Sequence, residues 1–372
     1  MNQVSKSDIG GGELQVKRVE VFAVATGAYG NVGDAVIRRR ALSWLDGVTH
    51  RSWHVYVGNA PGAWIEQLQL PNGTHIYRSS DRARWVLRLM AGRGRRVLLL
   101  DPGEVPLANH DVPAEIVTLM LCTVLRARRS VIIRPPRGIG RRRRAGVMVH
   151  KAASRLSDLV LWRNEESLQT IGVGELAPDT AFGEPSIDGA SWDGRDLVVV
   201  SLRGRRPHPG QTVLGGVARL AEAERLKVVT ASQVREDEPR NASLANELED
   251  IGAGHVAWHA SSDLEHEIVL RELYARARYV VSDRLHVLIL AALAGAVPLE
   301  YVPSPRPKVD VTFRQIGVTD VSLDSESHDA DQFVLHAIQS ANQREELASA
   351  IARARSDLNN HVRRARTAID SM

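Results

Sequence analysis

The segment Tyr279-Val280-Val281-Ser282-Asp283-Arg284-Leu285-His286 runs from a β-branched stretch of strand length into the apolar helical pattern Val287–Ala294. That spacing puts Arg284 and His286 in the first turn of a helix, at the carboxyl end of a parallel strand, where α/β proteins place ligands. Ser282 or Asp283 suits the helix cap, the helix start offers amides and a positive dipole, and Arg284 adds a planar fork for a carboxylate or phosphate. A helix start with a surface arginine and a satisfied histidine has the same pattern. Two further cations stand at similar places. Arg203 follows the run Val198-Val199-Val200-Ser201, and Lys308 lies in Tyr301-Val302-Pro303-Ser304-Pro305-Arg306-Pro307-Lys308, a proline-stiffened loop able to face the same crevice. Only five lysines occur among the 48 lysines and arginines, so a lysine at such a position stands out.

A different chemistry is suggested by Gly27-Ala28-Tyr29-Gly30-Asn31-Val32-Gly33-Asp34, which leads directly into a helical pattern. Its glycines permit tight turns and close backbone approach, and the helix start presents free amides to an anion or polar ligand. The spacing is not the dinucleotide fingerprint, no acidic residue stands where a ribose contact is expected, and no Lys-Ser/Thr follows as in a P-loop. A plain turn in which Asp34 caps the helix fits equally well. The dense basic run Gly138-Ile139-Gly140-Arg141-Arg142-Arg143-Arg144 reads as a solvated helix face, although each such residue adds about 1 kcal/mol against anionic lipid headgroups. Neither His110-Asp111 nor Glu265-His266-Glu267 has metal-ligand spacing, and no Cys/His cluster occurs, so no metal is expected. Cys122, the single cysteine, sits in an apolar run and reads as a core thiol.

The elements that must carry these residues follow from hydrophobic patterning. Strand-like runs at Val19–Ala25, Trp53–Val57, Arg96–Leu100, Val131–Ile133 and Leu159–Trp162 alternate with helical patterns at Asp34–Leu45, Asp81–Met90, Pro113–Leu125 and Arg142–Leu156. This is βαβ logic and predicts a parallel sheet covered on both faces. The pattern pauses at Gly183–Gly189, then restarts with strands at Asp196–Ser201, Lys227–Thr230, His255–Trp258, Tyr279–Ser282 and Leu299–Val302. At 372 residues two domains are expected. They are assigned as a flexible arm at 1–16, a first Rossmann-like domain at 17–185, a second at 194–325, and C-terminal helices at 326–372 packing back on the first domain.

Composition narrows the function classes. With 44% hydrophobic and 25% charged residues the chain is globular, and a net charge of +4 is a weak field for its length. Aromatics at 5% are too few for a surface of nucleic-acid stacking platforms. The opening residues lack an apolar leader core and the longest uncharged apolar run, Val287–Leu299, is shorter than a membrane span, so a cytoplasmic protein is expected.

Taken in order, these segments resemble the polysaccharide pyruvyl transferase family over nearly the whole chain. Gly30-Asn31-Val32-Gly33-Asp34 resembles its opening G-N-x-G-D segment. Arg163-Asn164-Glu165-Glu166-Ser167 with Asp179-Thr180-Ala181-Phe182 resembles its R-x-E-x-S and D-x-x-F stretch. Ser282-Asp283-Arg284-Leu285-His286 resembles its S-x-R-L-H signature, and Lys308 falls where the family carries a lysine. Two departures fall in the first domain: Leu100-Asp101-Pro102-Gly103-Glu104 stands for a glycine-rich strand end, and Gly138-Ile139-Gly140-Arg141 for G-x-G-P.

The resemblance implies a GT-B-like pair of Rossmann-type domains facing a central cleft. It also implies an enzyme that moves pyruvate from phosphoenolpyruvate onto two hydroxyls of a sugar in a cell-surface polysaccharide or its precursor, releasing phosphate. On that reading Arg203, Arg284 and Lys308 hold the donor anions and His286 is the acid/base. Asn31, Asp34 and Glu104 lie on the acceptor side, with Asp34 or Glu104 activating a hydroxyl. No cofactor is implied beyond the donor substrate. The partners are a glycan or lipid-linked saccharide, with peripheral contact at the inner face of the membrane and no nucleic acid. A GT-B glycosyltransferase using a nucleotide sugar has the same fold expectation, and a non-catalytic basic binding protein working through Arg141–Arg144 is the reading from another class.

Overall fold

Short β-branched runs, apolar on both faces, form the central strands of two parallel sheets, as expected where helices cover a sheet on each side. The computed structural model describes residues 19–48, 50–91, 94–186, 189, 191–258 and 262–372. The arm expected at 1–16 lies outside the described residues, as do Ile187 and Asp188 of the expected junction. The first sheet contains β1 (Val19–Val24), β2 (His50–Gly58), β3 (His75–Arg78), β4 (Arg96–Leu99), β5 (Glu104–Leu107), β6 (Val131–Arg142), β7 (Leu159–Trp162) and β8 (Glu175–Leu176). Their order is β3-β2-β1-β4-β6-β7-β8, with β5 paired to the outer half of β6. The second sheet contains β9 (Leu197–Ser201), β10 (Lys227–Ala231), β11 (Gly254–Val256), β12 (Ala277–Ser282), β13 (Val297–Val302) and β14 (Ser322–Asp324), ordered β11-β10-β9-β12-β13-β14. In each sheet the order reverses beside the first strand, and the two resulting crevices lie between β1 and β4 and between β9 and β12.

Several local expectations are corrected. β6 continues through Pro135 and Pro136 to Arg142 because β5 supplies a partner for its outer half, so Arg141–Arg144 is an exposed strand end and helix start rather than a helix face. The helix expected from Asp34 begins at Val32, with Asn31 as its cap. Lys308 is not in a loop, since the helix Pro307–Gln315 starts one residue earlier, with proline in its first turn. β3 and β5 carried no apolar run because one side of each faces solvent.

The largest apolar cluster joins the two halves. It runs from Val21 and Leu99 of the first sheet through Leu285–Leu293, a helix buried except at His286, to Leu347–Ile369 of the C-terminal helix. That last helix, Arg344–Asp370, lies on the first domain, where Arg366 donates to the Trp44 carbonyl at 3.0 Å and Arg355 to the Glu184 carbonyl at 2.8 Å. Among the described residues no helix is long and apolar enough to cross a membrane.

Candidate active site

The crevice of the second sheet collects the expected donor-side arginines. Arg203 lies just beyond β9, where its amide donates to Asp283 Oδ1 at 2.9 Å and its Nε to the Asp283 carbonyl at 3.1 Å. Arg284 is the cap residue of the helix Leu285–Leu293 rather than part of its first turn. Neither Ser282 nor Asp283 caps that helix as expected. The Ser282 hydroxyl accepts the Arg284 amide at 3.0 Å and donates to the Ser201 carbonyl, tying β12 to β9. The Arg284 guanidinium is held by buried Asp237, with Nε at 2.7 Å and Nη2 at 2.5 Å from Oδ2. Burial pushes the Asp237 carboxyl up against the pull of Arg284. Beside Arg203 opens a cavity of about 390 Å³ that Arg206, Arg240 and His208 also line.

His286 faces the other domain. A Cβ placed on Gly33 would lie 2.6 Å from His286 Cβ, so the helix start at Gly33 touches the helix start at His286 only because position 33 has no side chain. The loop before Gly33 is stitched to the second domain as well, with the Val32 amide donating to the Gln233 carbonyl at 3.1 Å and the Arg235 amide to the Gly30 carbonyl at 2.8 Å. His286 Nε2 is buried, has no hydrogen-bond partner among the described residues, and lies 3.8 Å from Oδ1 of buried Asp179. Burial alone would raise the Asp179 carboxyl, but His286, Arg163 and the Ala181 amide hold it well below the usual carboxylate range.

From Asp179 the charges continue across the cleft. Arg163 Nη1 is 3.1 Å from Asp179 Oδ2, Arg163 Nη2 is 3.7 Å from Glu104 Oε2, and Glu104 Oε2 is 3.5 Å from Lys308 Nζ. The first domain thus contributes Asp179, Arg163 and Glu104, and the second contributes His286 and Lys308. Gly138 and Gly140 leave the room that Arg163 and Glu104 occupy. The Lys308 ammonium is lowered by desolvation in the cleft and by Arg163 and Arg203, against Glu104 and Asp179, although 43% of its side chain stays exposed.

The structure therefore brings together His286, Lys308 and Glu104, and sets Arg203 beside Arg284. Asn31 and Asp34 stand in the loop and helix start that meet the second domain, where Asn31 bridges Val234. Asn31 Oδ1 accepts the Asp34 amide at 3.4 Å, and Asp34 Oδ2 accepts the Ala28 amide at 3.0 Å, so both hold their own loop. Arg163 and Asp179 carried no assigned role in the sequence reading, although both stand in the R-x-E-x-S and D-x-x-F segments that signalled them. Among the described residues no group of three or more histidines, cysteines or acids is arranged to hold a metal ion.

Two parallel-sheet α/β domains facing one cleft define a GT-B architecture, and solved structures share it. HepE of Anabaena in complex with UDP is 12% identical over 95% of this chain and 100% of its own, with a TM-score of 0.55. UDP-GlcNAc 2-epimerase from Methanocaldococcus jannaschii is 12% identical over 86% of this chain and 92% of its own, at 0.54. The lipopolysaccharide outer core galactosyltransferase WaaB is 12% identical over 95% and 99%, at 0.51. At such identities the likeness is one of fold. Residues 138–297 match the polysaccharide pyruvyl transferase family, a segment that contains Arg163, Asp179, Arg203, Arg284 and His286. No curated protein matches the chain significantly.

Proposed function

We propose that the chain is a ketal pyruvyltransferase that takes pyruvate from phosphoenolpyruvate and links it to two hydroxyls of a sugar destined for a cell-surface polysaccharide. The observation that carries this reading is the line His286, Asp179, Arg163, Glu104, Lys308, which crosses the cleft and joins a titratable imidazole to cations and a carboxylate. Phosphoenolpyruvate brings a carboxylate and a phosphate, which Arg203, Arg284 and Lys308 meet from three separate loops and helix starts. In the reaction one sugar hydroxyl forms a bond to C2 of the donor while its methylene carbon gains a proton. The C–O bond to phosphate then breaks, and a second hydroxyl closes the ketal, losing its proton. His286 supplies the proton to carbon and, once neutral, takes the proton of the second hydroxyl, while Glu104 receives that of the first. Asp179, held anionic, faces the imidazole at 3.8 Å. The reaction takes place in the cytoplasm, at the inner face of the membrane where lipid-linked saccharides are assembled.

Phosphate release from phosphoenolpyruvate with a panel of sugar acceptors tests the reaction, and thermal shift with phosphoenolpyruvate against nucleotide sugars tests the donor. Stabilisation by phosphoenolpyruvate, weakened in Arg203→Ala, is expected. Stabilisation by a nucleotide sugar alone would make the chain a glycosyltransferase instead.

A further inference from the structure

The crevice of the first sheet, between β1 and β4, opens into a cavity of about 600 Å³. Trp85, Leu98 and Leu121 give it an apolar wall, and Arg134 and Arg137 of β6 line it as well. Arg134 is fully buried and Arg137 is 5% exposed. Arg134 donates from Nε to Ser157 Oγ at 2.9 Å and meets Cys122 Sγ at 3.7 Å, while Arg137 donates from Nη2 to the Asp101 carbonyl. Arg137 Nε is buried with no hydrogen-bond partner, and neither guanidinium makes an ion pair with a carboxylate among the described residues. The four acids around the cavity are engaged elsewhere. Asp101 pairs with Arg38 at 2.9 Å, Glu115 with His150 at 2.7 Å, Asp111 accepts the Ala108 amide at 2.9 Å, and Glu104 faces Lys308.

Two adjacent cations buried without an ion-pair partner are costly, because each loses its hydration and each repels the other. Burial first and Arg134 second push Arg137 down to about 9, against the pull of Asp101 and Glu115. An oxyanion seated between them would offset both penalties, and the apolar wall would suit the carbon face of a sugar ring. We propose that this cavity binds an acceptor saccharide carrying an anionic group, a carboxylate or a phosphate, which Arg134 and Arg137 receive. That this ligand is the acceptor rests on the ketal transfer reading, and Glu104, which lines both the cavity and the cleft, then stands between the bound sugar and the donor cations.

Calorimetry on the full chain without phosphoenolpyruvate, using methyl β-D-glucuronide, glucose 1-phosphate and neutral methyl β-D-glucoside, tests the site. The expected result is that one acidic probe binds at least tenfold tighter than the neutral glycoside, that Arg137→Gln abolishes the preference, and that Arg137→Lys keeps part of it. Preference for the glucuronide identifies a uronate, and preference for the phosphate a phosphorylated saccharide. Equal binding of acidic and neutral probes, no binding of any, or an undiminished preference in Arg137→Gln overturns the proposal. A preference lost in Arg203→Ala but kept in Arg137→Gln overturns it too, since the anion would then be at the donor cations. If Arg137→Gln does not fold, the wild-type preference and its retention in Arg137→Lys decide. Phosphate release from phosphoenolpyruvate is measured separately: acidic-sugar binding without it refutes the transfer reading and leaves the anion site standing.

Discussion

His286 and Asp179 sit 3.8 Å apart on different domains, and their exchange for amides separates chemistry from packing. His286→Asn is expected to lower turnover by about 100-fold or more, the size of a lost acid/base group, while phosphoenolpyruvate affinity by calorimetry stays near wild type. Asp179→Asn removes the carboxylate that faces the imidazole at 3.8 Å and pairs with Arg163 at 3.1 Å, so turnover should fall by about tenfold or more while phosphoenolpyruvate affinity stays near wild type. Unchanged turnover with reduced stability would mean that Asp179 serves Arg163 alone. The same carboxyl contributes to stability. Its folded value is depressed, so its contribution is complete above the unfolded value and is lost as pH falls through the folded one.

At the scale of elements, two contacts decide how strands and helices meet. The helix starts at Gly33 and His286 touch without room for a methyl group, so Gly33→Ala should destabilise the chain by about 1–3 kcal/mol and lower turnover by displacing the imidazole. Unchanged thermal unfolding and activity would show that the seam opens freely. On β2, buried His54 stacks on Phe22 and His75 with ring centroids 4.7 Å and 4.8 Å away, and its Nδ1 meets the Tyr77 hydroxyl at 3.0 Å. Burial, reinforced by Arg88 and His75, pushes it down to about 4. A depressed histidine contributes stability above its unfolded value of about 6.5 that is lost as pH falls toward 4, a loss approaching about 3 kcal/mol. Denaturant titrations from pH 7 to pH 4 should show this slope in the wild type and a flatter one in His54→Phe.

Across the whole molecule, the domains are tied by a buried ionic cluster as well as by the shared core. Glu267 of the second domain accepts from Arg39 at 2.7 Å and Gln67 at 2.8 Å in the first, and from Arg271 at 2.8 Å, while Glu184 meets Arg39 at 3.1 Å. Burial alone would raise the Glu267 carboxyl, but Arg39 and Arg271 hold it below the usual range. Glu267→Gln leaves two guanidiniums short of charge and should cost about 3–5 kcal/mol, with calorimetric unfolding splitting into two transitions. A single transition at the wild-type midpoint would assign the coupling to the apolar core instead.

The alternation of β-branched runs with helical patterns made two parallel-sheet domains legible in the sequence, because hydrophobic periodicity is a local property that each element carries alone. Placement of Arg203 and Arg284 at strand ends followed from the same patterning, since side chains just past parallel strands face the crevice. Partners are another matter. Nothing local to Arg284 announces Asp237, and nothing near His286 announces Gly33 or Asp179, because residues far apart in sequence meet only when separate strand ends converge. The same holds for Asn31, which bridges Val234 of the second domain, far from it in sequence. Arg134 and Arg137 read as two more arginines in a chain rich in them. Only the fold, which pairs this part of β6 with β7, buried them together without an ion-pair partner.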